Sequence, residues 1–230
     1  MKIVEPKIII PKSELDRFKV KSIERYGRIC YKSEDKITDD SATVFIEKIL
    51  ANGHHSVIEH EKISLIVICD RGVSHEIVRH RIGSYSQEST RYCNYSKDKF
   101  NNEITVIMPF FFKDHVTFSV WQDACLAAEQ AYFMLLDRGV LPQEARSVLP
   151  NSLKTEIVIT YNLREWRHFF DKRCHRTAHP QMRQISLPIL KSFIDLLPEL
   201  FGDLAYMLEQ EYNFFPKKHL AEVEYVDSMF

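Results

Sequence analysis

Hydrophobic positions along the chain recur with two periods, and each period marks out its own elements. Phe45, Ile46, Ile49 and Leu50 lie on one helical face between the possible caps Asp39, Asp40 and Ser41 and the stop at Gly53, which predicts a helix from Ser41 to about Asn52. Trp121, Cys125, Leu126, Ala128, Tyr132 and Leu135 form the inward stripe of a long amphipathic helix, Asp114 to Arg138, closed by Gly139. Pro142 opens a shorter helix through Val148 that carries Arg146. Asn162 caps a further helix starting at Leu163, in which Trp166, Phe169, Phe170 and Arg173 follow i, i+3, i+4, i+7. Arg173 therefore falls on an apolar stripe and calls for a partner or ligand, while Arg164 and His168 share a second face. From Pro180 to about Asn213 the pattern is helical with breaks expected at Pro188 and Pro198.

Shorter periods predict strands. Residues 2–11 alternate loosely, as an edge strand stopped by Pro11. Lys62 to Asp70 is apolar on both faces, Glu103 to Met108 ends at Pro109, and Thr155 to Tyr161 is a third strong strand. Ser74 is placed to cap a short helix through Val78. With no repeat, low-complexity tract or linker, residues 1–230 read as a single α+β domain.

One stretch fits neither period. Arg79 to Tyr92 reads RHRIGSYSQESTRY, with three arginines, a histidine, three serines, a threonine and two tyrosines in fourteen residues. Planar guanidinium forks together with short hydroxyl donors suit an anion with several oxygens, above all a phosphate.

Composition narrows the classes of partner. The 230 residues are 45% hydrophobic and 27% charged with a formal net charge of −1, an ordinary globular balance without a field for nucleic acid or anionic membrane. Charge is nonetheless concentrated. From Arg164 to Arg183, six cations (Arg164, Arg167, Lys172, Arg173, Arg176, Arg183) against Glu165 and Asp171 give 6 − 2 = +4. Only six glycines occur and no GxGxxG or GxxxxGK can be written from them, so nucleotide binding would rest on side chains. The five cysteines are scattered without a CxxC, no stretch has the length and apolarity of a membrane span, and a reducing cytoplasm is the expected setting.

Each candidate metal or nucleophile motif also has a plainer structural reading. His75 to His80 resembles HExxH with one residue too many. On a helix, i and i+5 lie ~140° apart where i and i+4 lie ~40° apart, so no shared metal ion is expected there. Gly53 to His60, GHHSVIEH, reads as a capped strand entrance with hydrogen-bonded histidines, as a metal cluster, or as a ligand wall in which His54 offers a flat ring. Cys174 beside His175 reads as a packing residue, and Ser89 lacks the GxSxG elbow of an activated nucleophile.

RHRIGSYSQESTRY resembles the signature RHRxxSxxxxSxRY of the flavin-dependent thymidylate synthases, matching it at Arg79, His80, Arg81, Ser84, Ser89, Arg91 and Tyr92. GHHSVIEH is similar to that family's GHxSxxEH segment. Pro142 to Pro150 is similar to its VPxExARxxLP helix, and Asn162, Arg164, His168 and Arg173 to its NxRxxxHFxxxR helix.

The resemblance implies an α+β fold with a twisted, mainly antiparallel sheet and long helices, without a Rossmann unit. It implies reductive methylation of dUMP to dTMP with methylenetetrahydrofolate as carbon donor, NADPH as reductant and bound FAD, without an enzyme cysteine nucleophile. It also implies a homotetramer with active sites shared between subunits. Carried over, Ser56, Arg79, His80, Arg81, Gln87, Asn162, Arg164 and His168 would contact FAD, with His54 walling the flavin and folate site. Glu76, Arg79, Gln87, Ser89, Thr90, Arg91, Arg146 and Arg173 would hold dUMP, and Arg173 would be catalytic, facing the uracil. Ser86-Gln87 stands where many members have Asn-Glu, and Glu76 where many have glutamine. The spacing from Arg173 to His179 is longer than in some relatives. No resident metal is implied.

Overall fold

The computed structural model describes residues 1–97, 100–212 and 214–227. The strands follow from runs of β-branched and aliphatic residues. In β3 (Lys62–Asp70), Ile63, Leu65, Val67 and Cys69 are buried while Ser64, Ile66 and Ile68 between them are half-buried, so the strand has a fully packed face and a partly covered one. β3 lies in a five-stranded sheet of order β4 (Gly83–Gln87), β6 (Lys154–Asn162), β3, β2 (Lys7–Pro11) and β7 (Glu222–Val226). β3 and β6 run antiparallel: Glu61, Ser64 and Arg71 meet Leu163, Thr160 and Leu153 in descending order. A second sheet pairs β1 (Lys2–Val4) with β5 (Thr105–Ile107) in parallel.

Residues 2–11 thus form two strands in different sheets rather than one edge strand. Pro6 interrupts the run, and β2 sits inside the five-stranded order.

Packing divides the chain into two compact units. The first comprises Met1–Lys7, Val67–Arg79 and Ser86–Ile157. It contains α3 (Arg71–Ile77), α4 (His115–Asp137) and α5 (Pro142–Ala145), and its core joins Tyr95, Ile104, Val106, Cys125, Tyr132, Ala145 and Leu153. Asp114 caps α4 by accepting from Thr117 N at 2.9 Å. Of the expected inward stripe, Cys125 and Tyr132 are buried, whereas Trp121, Leu126, Ala128 and Leu135 are half-buried. Ser74 does not cap α3. Asp70 does, accepting from Val73 N at 2.7 Å, because it stands immediately before the first helical residue; Ser74 lies buried one turn in.

The second unit comprises Ile8–Ile66, His80–Tyr85 and the chain from Val158 on. It holds α1 (Phe18–Tyr31), α2 (Ser41–Ala51), α6 (Leu163–Arg173), α7 (Pro180–Leu196), α8 (Pro198–Phe201) and α9 (Ala205–Tyr212). Trp166, Phe169, Phe170, Phe193 and Phe201, all fully buried, form its aromatic centre through contacts between ring centroids 5.1–6.0 Å apart. The expected break at Pro198 occurs, but α7 runs unbroken through Pro188. The carbonyl that Pro188 leaves without its helical donor is that of Gln184, and it accepts from Ala221 N at 2.9 Å instead. The expected helix end near Asn213 lies outside the described residues. Among the described residues no helix is long and apolar enough to cross a membrane.

Candidate functional site

The start of α6 organises the polar cluster of the second unit. Asn162 caps the helix by accepting from Glu165 N at 2.8 Å. Glu165 is only 6% exposed, yet its carboxylate accepts from two imidazoles, His80 Nδ1 at 2.8 Å and His168 Nδ1 at 3.2 Å. On the other side of the His80 ring, Arg173 Nε donates to Nε2 at 3.0 Å. A guanidinium only donates, so Nε2 carries the lone pair and the His80 proton sits on Nδ1, facing Glu165. Burial lowers the His80 pKa from its ordinary 6.5. The charge of Arg173 lowers it further, against the opposing pull of the Glu165 hydrogen bond and charge. The neutral ring therefore acts as a fixed link between a buried carboxylate and the half-buried Arg173.

The backbone at His80 is held as well. Tyr161 and Tyr85 hydroxyls are 2.8 Å apart, and Tyr85 donates onward to the His80 carbonyl. Burial raises both phenol pKa values, so both stay protonated donors. Gly83 permits this close approach, since a Cβ there would sit 2.3 Å from the Tyr161 ring.

His80, Glu165 and His168 are also the one group of three among the described residues with metal-ligand spacing, their ligand atoms lying within 4.8 Å of one another. The tautomer argues against a cation there. The Nδ1 lone pair of His80 is protonated, and a guanidinium is bonded to the same ring, so the cluster holds Arg173 rather than an ion.

Beside the cluster opens a cavity of about 430 Å³ lined by Glu59, Ile82, Asn162, Arg164, Glu165 and His168. Arg164 pairs with Glu59 at 2.5 Å, and Ile82 is 65% exposed. Three expected flavin contacts, Asn162, Arg164 and His168, thus share one cavity.

The first unit carries a separate anionic-ligand candidate. A cavity of about 560 Å³ is lined by Arg71, His75, Thr90, Gln143, Glu144, Arg146 and neighbouring residues. Arg146 is oriented by bonds of 3.1 Å to the Gln143 carbonyl and the Thr90 hydroxyl, and Arg71 donates to the Glu88 carbonyl at 2.9 Å. Of the expected dUMP contacts, this cavity gathers Thr90 and Arg146. Gln87 points elsewhere, donating to Ser74 Oγ at 2.9 Å and Thr155 Oγ1 at 3.1 Å. Ser89 and Glu76 are half-buried nearby in sequence but do not line it.

Arg79, Arg81, Arg91 and Ser56 are exposed and line neither cavity. The Arg91 guanidinium lies 5.5 Å from the Tyr92 ring centre. His54 is exposed and bonded to the Tyr31 hydroxyl at 2.7 Å. Cys174 is fully buried, and burial pushes its thiol up to about 12, which suits packing and not attack.

Sequence reasoning missed Glu165 and Arg71. Glu165 was legible only as a first-turn acid. The signal that points to it is Arg173 on an apolar stripe, whose need for a partner is met through His80. Arg71 precedes a helix start and gave no sign of its place.

The profile of the thymidylate synthase complementing protein family matches residues 16–199. The chain is 36% identical to the flavin-dependent thymidylate synthase of Geobacter sulfurreducens over 184 residues, 77% of this chain and 78% of that protein. It is 33% identical to the enzymes of that name from Pyrococcus furiosus, over 74% of this chain and 69% of that protein, and Mycolicibacterium vanbaalenii, over 79% and 78%.

Proposed function

The chain belongs to the flavin-dependent thymidylate synthase family, and from that premise we propose that it methylates dUMP to dTMP with methylenetetrahydrofolate, NADPH and FAD. The observation that carries the mechanism is the Arg173 fork held by neutral His80, itself anchored on Glu165.

The residues present suit a flavin. The 430 Å³ cavity joins an exposed aliphatic side chain, Ile82, to the donors Asn162, Arg164 and His168, the mixture a flat heterocycle with an anionic tail requires. Asn162, Arg164 and His168, with Ser56, Arg79, His80 and Arg81, would hold it, and His54 would wall it. When bound, FAD supplies the reducing equivalents that convert the transferred carbon into a methyl group. His80 in this chain acts chiefly by positioning, since its ring is buried and both nitrogens are engaged.

Arg173 stabilises negative charge developing on the uracil ring. A cation fixed before the reaction in a low-dielectric site needs no reorganisation when that charge appears. Arg146, pre-oriented by Thr90, grips the nucleotide with Arg91 and Ser89, and Arg79, Glu76 and Gln87 complete the dUMP contacts. A buried thiol with a pKa near 12 leaves no role for Cys174 as nucleophile.

A homotetramer with shared sites is supported by α4, where Val116 and Val120, one turn apart, are 70% and 66% exposed. A cytoplasmic setting is part of the proposal, supported by the five free thiols, which a reducing compartment keeps reduced.

Arg173→Ala tests the role of the fork. The flavin spectrum stays, and turnover falls about 10²- to 10³-fold, the usual consequence of losing a preorganised charge-stabilising donor. Near-normal turnover would place charge stabilisation elsewhere.

A further inference from the structure

A third cavity, of about 500 Å³, lies between α1 and α2 in the second unit, away from the signature stretch. Its lining includes Arg28, Lys36 and Lys48 and no carboxylate, together with the rings of Tyr31 and His54 and the aliphatic Val44 and Ile49. The Tyr31 and His54 rings are stacked, 6.3 Å between centroids and 24° between planes, and both are exposed. They form a ready flat surface.

Arg28 is set in place from behind. Buried Glu24 accepts from its Nε at 3.1 Å and Nη2 at 2.8 Å, and from Ser41 Oγ at 2.7 Å. The guanidinium also lies over the Phe45 ring at 4.6 Å. These bonds engage Nε and Nη2 and fix the guanidinium where it lines the cavity. Lys36 and Lys48 are exposed and have no carboxylate partner among the described residues. Three cations against the one carboxylate of Glu24 leave a surplus of 3 − 1 = +2.

The arrangement is selective about its ligand. Two lysines on separate elements are spaced point charges, and the same lining adds aromatic and aliphatic surface. A compact phosphate would favour converging forks. A flat ring carrying a chain of carboxylates joined by methylenes matches ring surface, apolar wall and spaced cations in turn.

We infer that this cavity is the subsite for the polyanionic tail of the folate co-substrate, with the γ-linked glutamates on Lys36, Lys48 and Arg28 and the ring end towards His54. The inference rests on the thymidylate synthase reading for the identity of the ligand, though not for the anion site itself.

The test compares mono- and pentaglutamyl methylenetetrahydrofolate as substrates of the wild type and of the Lys36→Gln/Lys48→Gln variant. Two partly screened ion pairs predict a pentaglutamate KM about 2- to 30-fold below the monoglutamate KM in the wild type, diminishing with salt. In the variant that preference disappears, while monoglutamate turnover, flavin content and the KM values for dUMP and NADPH hold. A preference that survives in the variant, or its absence in the wild type, overturns the inference. So does a variant whose defect is in the KM for NADPH, which would assign the cavity to a nucleotide phosphate.

Fluorescence anisotropy of a labelled penta-γ-glutamate peptide gives a readout independent of turnover. Binding to the wild type and not to the folded variant is expected even if no dTMP is formed. A protein that makes dTMP but ignores the peptide and the chain length refutes the subsite alone.

Discussion

Glu165→Gln isolates the charge behind Arg173 while keeping the shape of the side chain. Glu165 is 6% exposed and its carboxylate accepts from His80 at 2.8 Å and from His168 at 3.2 Å. A charge-assisted hydrogen bond contributes about 1.5–3 kcal/mol and a neutral one about 0.5–1.5, so the exchange weakens the hold on His80 by about 1–2 kcal/mol. With 1.36 kcal/mol per factor of ten, kcat falls about 5- to 30-fold if the orientation of Arg173 bears the full loss. The assay is dTMP formation at saturating dUMP, with the flavin spectrum as the check on folding.

A pH profile separates positioning from simple destabilisation. Protonation of His80 removes the Nε2 lone pair that accepts from Arg173, so kcat has an acid limb below the ordinary histidine value of 6.5. Glu165 favours the protonated ring. Removing its charge therefore moves that limb to lower pH. Unchanged kcat together with an unmoved limb would refute the relay from Glu165 through His80 to Arg173.

Two further outcomes are expected, the first from the proposed dUMP contacts and the second from the geometry at His80. Arg91→Ala raises the apparent KM for dUMP by about 10- to 150-fold with little change in kcat, the loss expected for one charge-assisted phosphate contact; an unchanged KM would remove Arg91 from the phosphate site. Stability also has a signed pH dependence. Folded His80 binds its proton less readily than unfolded His80, so this contribution is complete above about pH 6.5 and is lost as pH falls through that value towards the lowered folded one. Melting temperatures should drop over that window in the wild type and drop less in His80→Gln; parallel curves would contradict the lowered pKa.

Much of the framework was legible in the sequence because local chemistry sets it. Asn162 caps α6, Asp114 caps α4 and Gly139 follows α4 with φ +81°, each within reach of its own neighbours. Errors arose where distant partners decide. Pro188 looked like a helix breaker because nothing local shows that Ala221 would take the Gln184 carbonyl. Ser74 looked like a cap because a serine before apolar residues is a good one, but Asp70 stands immediately before the helix start.

The site divided in the same way. The placement of Arg173 on an apolar stripe predicted a partner, and the spacing along α6 put Arg164 and His168 on one face, where both line one cavity. Glu165 and Arg71 escaped notice because their roles depend on residues 85 and 17 positions away, His80 and Glu88. His80 was expected on the flavin, and nothing in the sequence signalled that its ring lies 5% exposed between Glu165 and Arg173.

The central claim is tested most directly by the absorption spectrum of the purified protein under anaerobic conditions, with NADPH added in the presence and absence of dUMP. The account predicts a bound flavin spectrum that bleaches faster when dUMP is present, followed by dTMP formation once methylenetetrahydrofolate is supplied. A protein that takes up no FAD, or whose flavin is reduced without any response to dUMP and yields no dTMP, would contradict it.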